Sequence, residues 1–278
     1  MKVVLLDVNY LLYSGHYATP LTCRGVAIGG AYTTVKFMIN CLNKYDLVIA
    51  CLDSGMSIRK DSDQFYKANR KKNKEIGEQR DAFIAIAEAL GVPVVKKIGY
   101  EADDVIASIS KRLVERDRYI EIDICTADKD LYSCVTSDSF SYKVRIIDRK
   151  YNQMDQQAVI AKLGVAPYQV EDYLAIVGDT ADNVKGIKGC GKKTAAEILD
   201  FAGLDYIIEN PHKLPEKLRK KLFKDEDAIK KLVRNLELTT LYSNLEFADN
   251  EISMSEKNLT AVYDLFEYYG FKSLMNLV

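Results

Sequence analysis

The chain has 278 residues, 48% of them hydrophobic, and a formal net charge of −1. That apolar content is enough for a sizeable core, as one large domain or two modest ones, and no run reaches the ~18 apolar residues that suggest a membrane span. Six cysteines are scattered without a CxxC pair, and His16 and His212 are the only histidines. Reduced thiols in a cytoplasmic protein are therefore expected, and a His-based triad or zinc hydrolase is poorly supplied with parts.

MKVVLLDVNYLLY opens with a buried strand (3–7) interrupted by Asp7, not with a signal peptide. A helix is predicted over 31–45, a strand over 47–53, a helix over 79–91 stopped by Gly91, and a strand over 92–98. A helix over 101–116, a strand over 121–128 and a further strand over 143–148 follow. This alternation predicts a mainly parallel α/β sheet. Beyond about residue 155 the strand signal fades and helices are expected to the end, with no Pro, Gly or Ser-rich linker between the halves. The predicted division is 1–155 and 156–278, packed as one unit.

Nine carboxylates stand out: Asp7, Asp53, Glu101, Asp103, Asp104, Asp128, Asp130, Asp179 and Asp182. Asp7, Asp53 and Asp128 fall at carboxyl ends of predicted parallel strands, where open α/β sheets bind ligands. Glu101, Asp103 and Asp104 open the helix after the third strand, on the same edge. Acids gathered on one edge repel one another unless cations are present, and hard oxygen donors suit two Mg²⁺.

The near-zero net charge hides segregation. Residues 66–74 hold five basic residues and no acid, 185–193 hold four and no acid, and 213–234 hold nine against four acids. Basic patches around an acidic centre suit a polyanionic substrate held by its backbone. In GIKGCGKKTA, Gly186, Gly189 and Gly191 allow close backbone approach to a phosphate, with Lys192, Lys193 and Thr194 at the start of the next helix. Gly186 to Lys192 also fits GxxxxGK. Lys193 stands where a P-loop needs Ser or Thr, and no strand precedes it, so a helix–hairpin–helix is preferred to a nucleotide site.

In order along the chain, LLDVNYLLY, PLTCRGVAIGGAY, CLDSGMSIRKD, FYKANRKKN, GYEADDVIA, TADKDL, GDTADNVKGIKGCGKKTA and LELTTLYSNLEF resemble the motifs of the 5′-nuclease (flap endonuclease) family. That family includes bacteriophage 5′-exonucleases and the 5′-nuclease domain of bacterial DNA polymerase I. The resemblance implies a PIN-like α/β core, a helical arch at about 59–80, and a helix–hairpin–helix at about 183–200. It assigns Asp7, Asp53, Glu101 and Asp103 to a first metal and Asp128, Asp130, Asp179 and Asp182 to a second, with Asp103 or Asp104 near both. Mg²⁺ is implied, with Mn²⁺ as a substitute and a K⁺ at the hairpin.

The resemblance also implies roles for the basic residues. Lys67 and Arg70 match a catalytic pair beside the scissile phosphate, with Asp128 and Asp179 as catalytic acids. Tyr66 matches an arch aromatic on which a terminal base stacks. Arg59, Lys71 and Lys72 join Tyr66, Lys67, Arg70 and the hairpin residues as expected DNA contacts. The implied activity is 5′–3′ exonuclease and flap endonuclease cleavage of DNA bearing a 5′ flap, nick or free 5′ end. RNA/DNA hybrid primers, replication proteins as partners and a monomeric state complete the expectation. The length suits a free-standing phage or small bacterial enzyme without a fused polymerase. The rivals are a PIN-type ribonuclease, which leaves the hairpin unexplained, and a non-catalytic DNA-binding protein, which leaves the acids unexplained.

Overall fold

Residues 1–70 and 73–278 are described by a computed structural model. Strand β1 (Lys2–Asp7) runs straight into α1 (Val8–Ala18), because the Asp7 carboxylate caps that helix, accepting from the Tyr10 N–H at 3.0 Å. A short hairpin, β2 (Thr22–Cys23) and β3 (Val26–Ala27), leads to α2 (Gly29–Leu42). The α1–α2 crossing is close enough that a Cβ on Gly30 would fall 2.5 Å from the Leu12 carbonyl oxygen. Next come β4 (Leu47–Cys51), α3 (Ile58–Ser62), α4 (Lys74–Ala89), β5 (Val94–Val95) and α5 (Ala102–Arg116). Strands β6 (Glu121–Cys125), β7 (Lys143–Ile147) and β8 (Gln153–Met154) complete the sheet.

The strand order is β5-β4-β1-β6-β7-β8; β5 to β7 are parallel and β8 is an antiparallel edge. The chain moves from β1 to β4 on one side and later returns to β6 on the other. The carboxyl end of β1, where Asp7 sits, is therefore the topological switch point. Side chains alternate along β1. Val3 and Leu5 join one core with α5 and the later helices, while Val4 and Leu6 join a second with α1, α2 and α4.

The later half contains α6 (Gln156–Leu163), α7 (Val170–Val177), the two-residue strands β9 (Gly178–Asp179) and β10 (Val184–Lys185), and α8 (Lys192–Phe201). Helices α9 (Leu204–Glu209), α10 (Glu216–Leu222), α11 (Ala228–Thr239) and α12 (Leu259–Tyr269) follow. Helix α12 returns to pack on α4, and Phe266 joins the core beneath β1.

Two expectations are corrected. The predicted third and fourth strands are shorter than expected, since β5 has two residues and β6 ends at Cys125. The helical arch expected at about 59–80 is not continuously helical. It consists of α3, a series of turns over 64–69, and α4 from Lys74, capped by Asn73. Asp63 caps the Phe65 N–H, and Lys67 takes a left-handed φ of 52°, which no helix accommodates. The turns are held instead by the 180–183 loop. Asn69 donates to the Thr180 carbonyl, Asn183 donates to the Phe65 carbonyl, and the Lys67 N–H donates to the Asp182 carbonyl. No helix is long and apolar enough to cross a membrane among the described residues.

Candidate active site

A cleft of roughly 770 Å³ opens at the carboxyl ends of β1, β4 and β6, lined by Asp7, Asp53, Glu101, Asp103, Asp128, Asp179 and Asp182. Each acid arrives by a local device. Asp7 ends β1 and accepts from the Thr126 hydroxyl at 2.8 Å. Asp53 lies two residues past β4 and accepts from the Ala102 N–H at 2.7 Å, pinning the start of α5 beside it. Glu101 and Asp103 bracket the N-terminus of α5, where the helix dipole favours them. Asp128 follows β6 and accepts from the Asp130 N–H at 3.1 Å. Asp179 accepts from the Ala181 N–H at 2.9 Å, and that turn delivers Asp182 to the same place.

Asp130, Asp179 and Asp182 are buried and each offers an oxygen within 4.8 Å of the others. Asp130 Oδ1 is buried without a hydrogen-bond partner, a costly state unless something else binds it. Burial, reinforced by Asp53 and Asp128, raises Asp7 to about 6 even though Tyr10 and Thr126 stabilise its charge. Burial together with Asp128 and Asp7 lifts Asp103 well above the usual carboxylate range. Asp128 is raised by burial and Asp182, and Asp130 strongly by burial with Asp128, Asp182 and Asp179. All-oxygen donors that repel one another, one of them orphaned, fit hard divalent cations.

Protein cations offset part of this charge. Lys67 Nζ lies 3.0 Å from Glu101 and 3.3 Å from Asp182; Arg70 also binds Asp182; Lys129 Nζ lies 3.1 Å from Asp179. Burial pushes the Lys67 ammonium down, but Glu101, Asp182 and Asp103 outweigh it and hold it above its ordinary value. Lys67 is nearly inaccessible, whereas the Arg70 side chain keeps 49% of its exposure.

Several expected site residues lie elsewhere. Asp104 is fully buried and points away from the cleft. It takes both guanidinium nitrogens of Arg59, at 2.8 and 2.7 Å, and accepts from the Glu101 and Tyr242 N–H groups. Arg59 is therefore an internal counter-ion at 3% exposure, not a DNA contact. Tyr66, also 3% exposed, packs with Val184 and Leu238, and its hydroxyl lies 2.9 Å from Glu101 and 3.1 Å from Asp182. Its ring offers no face for a base. Lys71 and Lys72 lie outside the described residues.

At the hairpin, Gly186 is needed for packing, since a Cβ there would fall 2.0 Å from the Val177 carbonyl oxygen. Gly189, at φ 88°, and Gly191 face open space, so backbone approach is possible there. Lys192 caps the end of α6, donating to the Lys162 carbonyl at 2.6 Å. Thr194 is buried, and Lys193 is exposed. Lys129, Tyr13 and Arg80 are among the cleft residues that were not singled out from the sequence. Lys129 lies inside TADKDL, between two predicted acids, so its position carried a signal. Tyr13 sits two turns beyond Asp7 on α1. Arg80 carried none, because only the crossing of α4 over α1 brings it to the cleft.

Residues 2–164 match the family described as the 5′-3′ exonuclease N-terminal resolvase-like domain, and residues 165–260 its C-terminal SAM fold. DNA polymerase I of Caldicellulosiruptor bescii is 29% identical over 287 residues, covering 99% of this chain and 33% of that protein. DNA polymerase I of Borreliella burgdorferi is 32% identical over 253 residues, covering 88% of this chain and 26% of that protein. The chain thus spans about a third of the length of the curated relatives it matches. The T5 5′-exonuclease with bound zinc ions aligns over the whole of both chains, with a TM-score of 0.68 at 19% identity. A bacteriophage T5 flap endonuclease complex with DNA and metal ions aligns over 97% of this chain and 100% of that one, with a TM-score of 0.66 at 20% identity. The catalytic core of Rad2 with DNA substrate aligns over 100% and 93%, with a TM-score of 0.59 at 16% identity. At these identities the structural likeness is one of fold. The two family matches, contiguous from residue 2 to residue 260, place the chain in the 5′-3′ exonuclease family.

Proposed function

We propose that the chain is a divalent-metal-dependent, structure-specific 5′-nuclease that hydrolyses phosphodiester bonds in DNA with a 5′ flap, nick or free 5′ end. The observation that carries this reading is the acid cluster itself. Asp130, Asp179 and Asp182 converge within 4.8 Å, with an orphaned buried oxygen on Asp130. Asp7, Asp103 and Asp128 stand beside them with raised carboxyls. In this reading Asp7, Asp53, Glu101 and Asp103 serve one cation and Asp128, Asp130, Asp179 and Asp182 another; Asp104 is excluded by its pairing with Arg59. When bound, two Mg²⁺, or Mn²⁺ in their place, supply an activated water and offset charge on the attacking and leaving oxygens.

The chain's own residues have separate tasks. Lys67 and Arg70 neutralise Glu101 and Asp182. Both also line the cleft, where their fixed positive charge would favour the transition state of a bound phosphate. The open backbone at Gly189 and Gly191, with exposed Lys188 and Lys193, suits the duplex backbone. A K⁺ at this hairpin, RNA/DNA hybrid primers as substrate, a monomeric state and replication partners belong to the same reading.

Cleavage-site mapping on a labelled 5′-flap, with and without Mg²⁺, tests it. Incision near the junction, only with metal, and a 5′-phosphate on the product are expected. A clear preference for single-stranded RNA over flap DNA would instead favour a PIN-type ribonuclease. Binding without any cleavage would favour a non-catalytic DNA-binding protein.

A further inference from the structure

Arg80, on α4, lines the acidic cleft, yet it is not spent on any acid. Its Nε is buried without a hydrogen-bond partner. The side-chain bond it makes is from Nη2 to Asn9 Oδ1, at 3.3 Å. Among the described residues no carboxylate lies within 4.0 Å of it. The contrast with the neighbouring guanidinium groups is sharp, since Arg59 is clamped to Asp104 and Arg70 to Asp182. The Asn9 amide is itself turned toward Asp53, donating to its carboxylate. A neutral amide thus stands between Arg80 and Asp53.

A guanidinium carries five donors in a planar fork. Leaving most of them unmatched in a partly buried position is unfavourable in the free protein. The arrangement makes sense if the partner is an anion that comes and goes. The fork geometry matches a phosphate diester, and an ammonium does not reproduce it. Lys67 and Arg70 meet the site from the Glu101 and Asp182 side, whereas Arg80 stands beside Asn9 and Asp53.

We propose that Arg80 binds a non-scissile phosphate of the substrate strand on the Asp53 side of the cleft, and so fixes which linkage is presented for hydrolysis. The proposal rests on the nuclease reading and adds to it a substrate-positioning residue with a defined ligand. It also gives Asn9 a role as a spacer that keeps the guanidinium off Asp53.

The test is a methylphosphonate scan, replacing one charged linkage at a time on either side of the scissile bond in a 5′-flap. Affinity is read by fluorescence anisotropy in Ca²⁺, and single-turnover cleavage in Mg²⁺. In the wild type, neutralising the linkage that Arg80 holds should weaken binding by about 10- to 100-fold, the size of a lost hydrogen bond to a charged group. Arg80→Ala should show that weakening already and lose nothing more at that one linkage, while keeping the wild-type losses elsewhere. Arg80→Lys should recover little. Thermal unfolding of both variants checks that the fold is retained. Equal methylphosphonate losses in wild type and Arg80→Ala at every linkage would overturn the proposal. So would an altered Mg²⁺ requirement with unchanged DNA affinity, which would place Arg80 behind Asn9 and Asp53 as a support for metal binding. Wild-type protein that binds the flap without cutting it contradicts the nuclease activity alone, because the binding scan still reads Arg80.

Discussion

Lys67 and Asp182 are joined twice. The Lys67 N–H donates to the Asp182 carbonyl at 2.9 Å, and the Lys67 ammonium lies 3.3 Å from the Asp182 carboxylate. Residues 65–70, which follow α3, are thereby docked on the acid cluster, with Lys67 held in a left-handed backbone conformation.

Removing that ammonium leaves Glu101 and Asp182 short of a buried counter-ion. Lys67→Ala should therefore destabilise the metal-free protein by about 2–4 kcal/mol. Mg²⁺ should restore much of the loss by supplying charge to the same carboxylates. Unfolding in EDTA and in Mg²⁺ measures this. Flap cleavage by the variant should fall by about 100-fold or more even in saturating metal.

The raised carboxyls give a pH dependence whose sign is unusual for acids. Asp7 moves from 3.8 to about 6 on folding, so between those values the folded state keeps a proton that the unfolded chain has released. Its contribution to stability is complete below about pH 4 and is lost as pH rises through 6. At ~1.4 kcal/mol per pH unit the loss is at most about 3 kcal/mol. Asp103, Asp128 and Asp130 are raised as well and act in the same direction. Metal-free protein should thus be less stable at pH 7.5 than at pH 5, and Mg²⁺ should stabilise it more at pH 7.5. Asp7→Asn should reduce the metal-free slope, which denaturant unfolding at the two pH values reads directly.

Arg59 and Asp104 separate a structural ion pair from a functional one. Arg59→Ala strands a fully buried carboxylate and should cost about 3–5 kcal/mol. It should leave the salt dependence of DNA binding unchanged, because the guanidinium faces no solvent. A reduced salt slope would mean that Arg59 contacts phosphate after all.

The hairpin glycines should divide in the same way. Gly186→Ala drives a Cβ into the Val177 carbonyl and should lower the melting temperature and duplex affinity together. Gly191→Ala meets open space at φ −89°, so the fold should survive. Weaker duplex affinity with an unchanged melting temperature would identify Gly191 as a point of backbone approach.

The strands and acids were legible in the sequence because strand-end position is a topological fact. Once β1, β4 and β6 are parallel neighbours, Asp7, Asp53 and Asp128 must share an edge. Asp104 was not legible. It differs from Asp103 by one residue on α5, and that 100° turn sends it to Arg59 instead of the cleft. Tyr66 misled for a related reason, and the Lys192 cap went unread, since an aromatic or a lysine in a basic run shows nothing of its neighbours. Here those are Glu101 and Asp182 for Tyr66, and the end of α6 for Lys192. The arch differed because its turns are fixed by the distant 180–183 loop, and Arg80 needed the α4–α1 crossing to be seen.

Mapping cleavage of a labelled 5′-flap by wild type, Asp128→Ala and Asp179→Ala, with Mg²⁺ titrated from zero, tests the central claim most directly. Incision near the junction that requires Mg²⁺ and disappears in both variants, while flap binding persists, is the expected result. Cleavage that proceeds in EDTA, or that survives both substitutions, would contradict a cation-dependent site built from these acids.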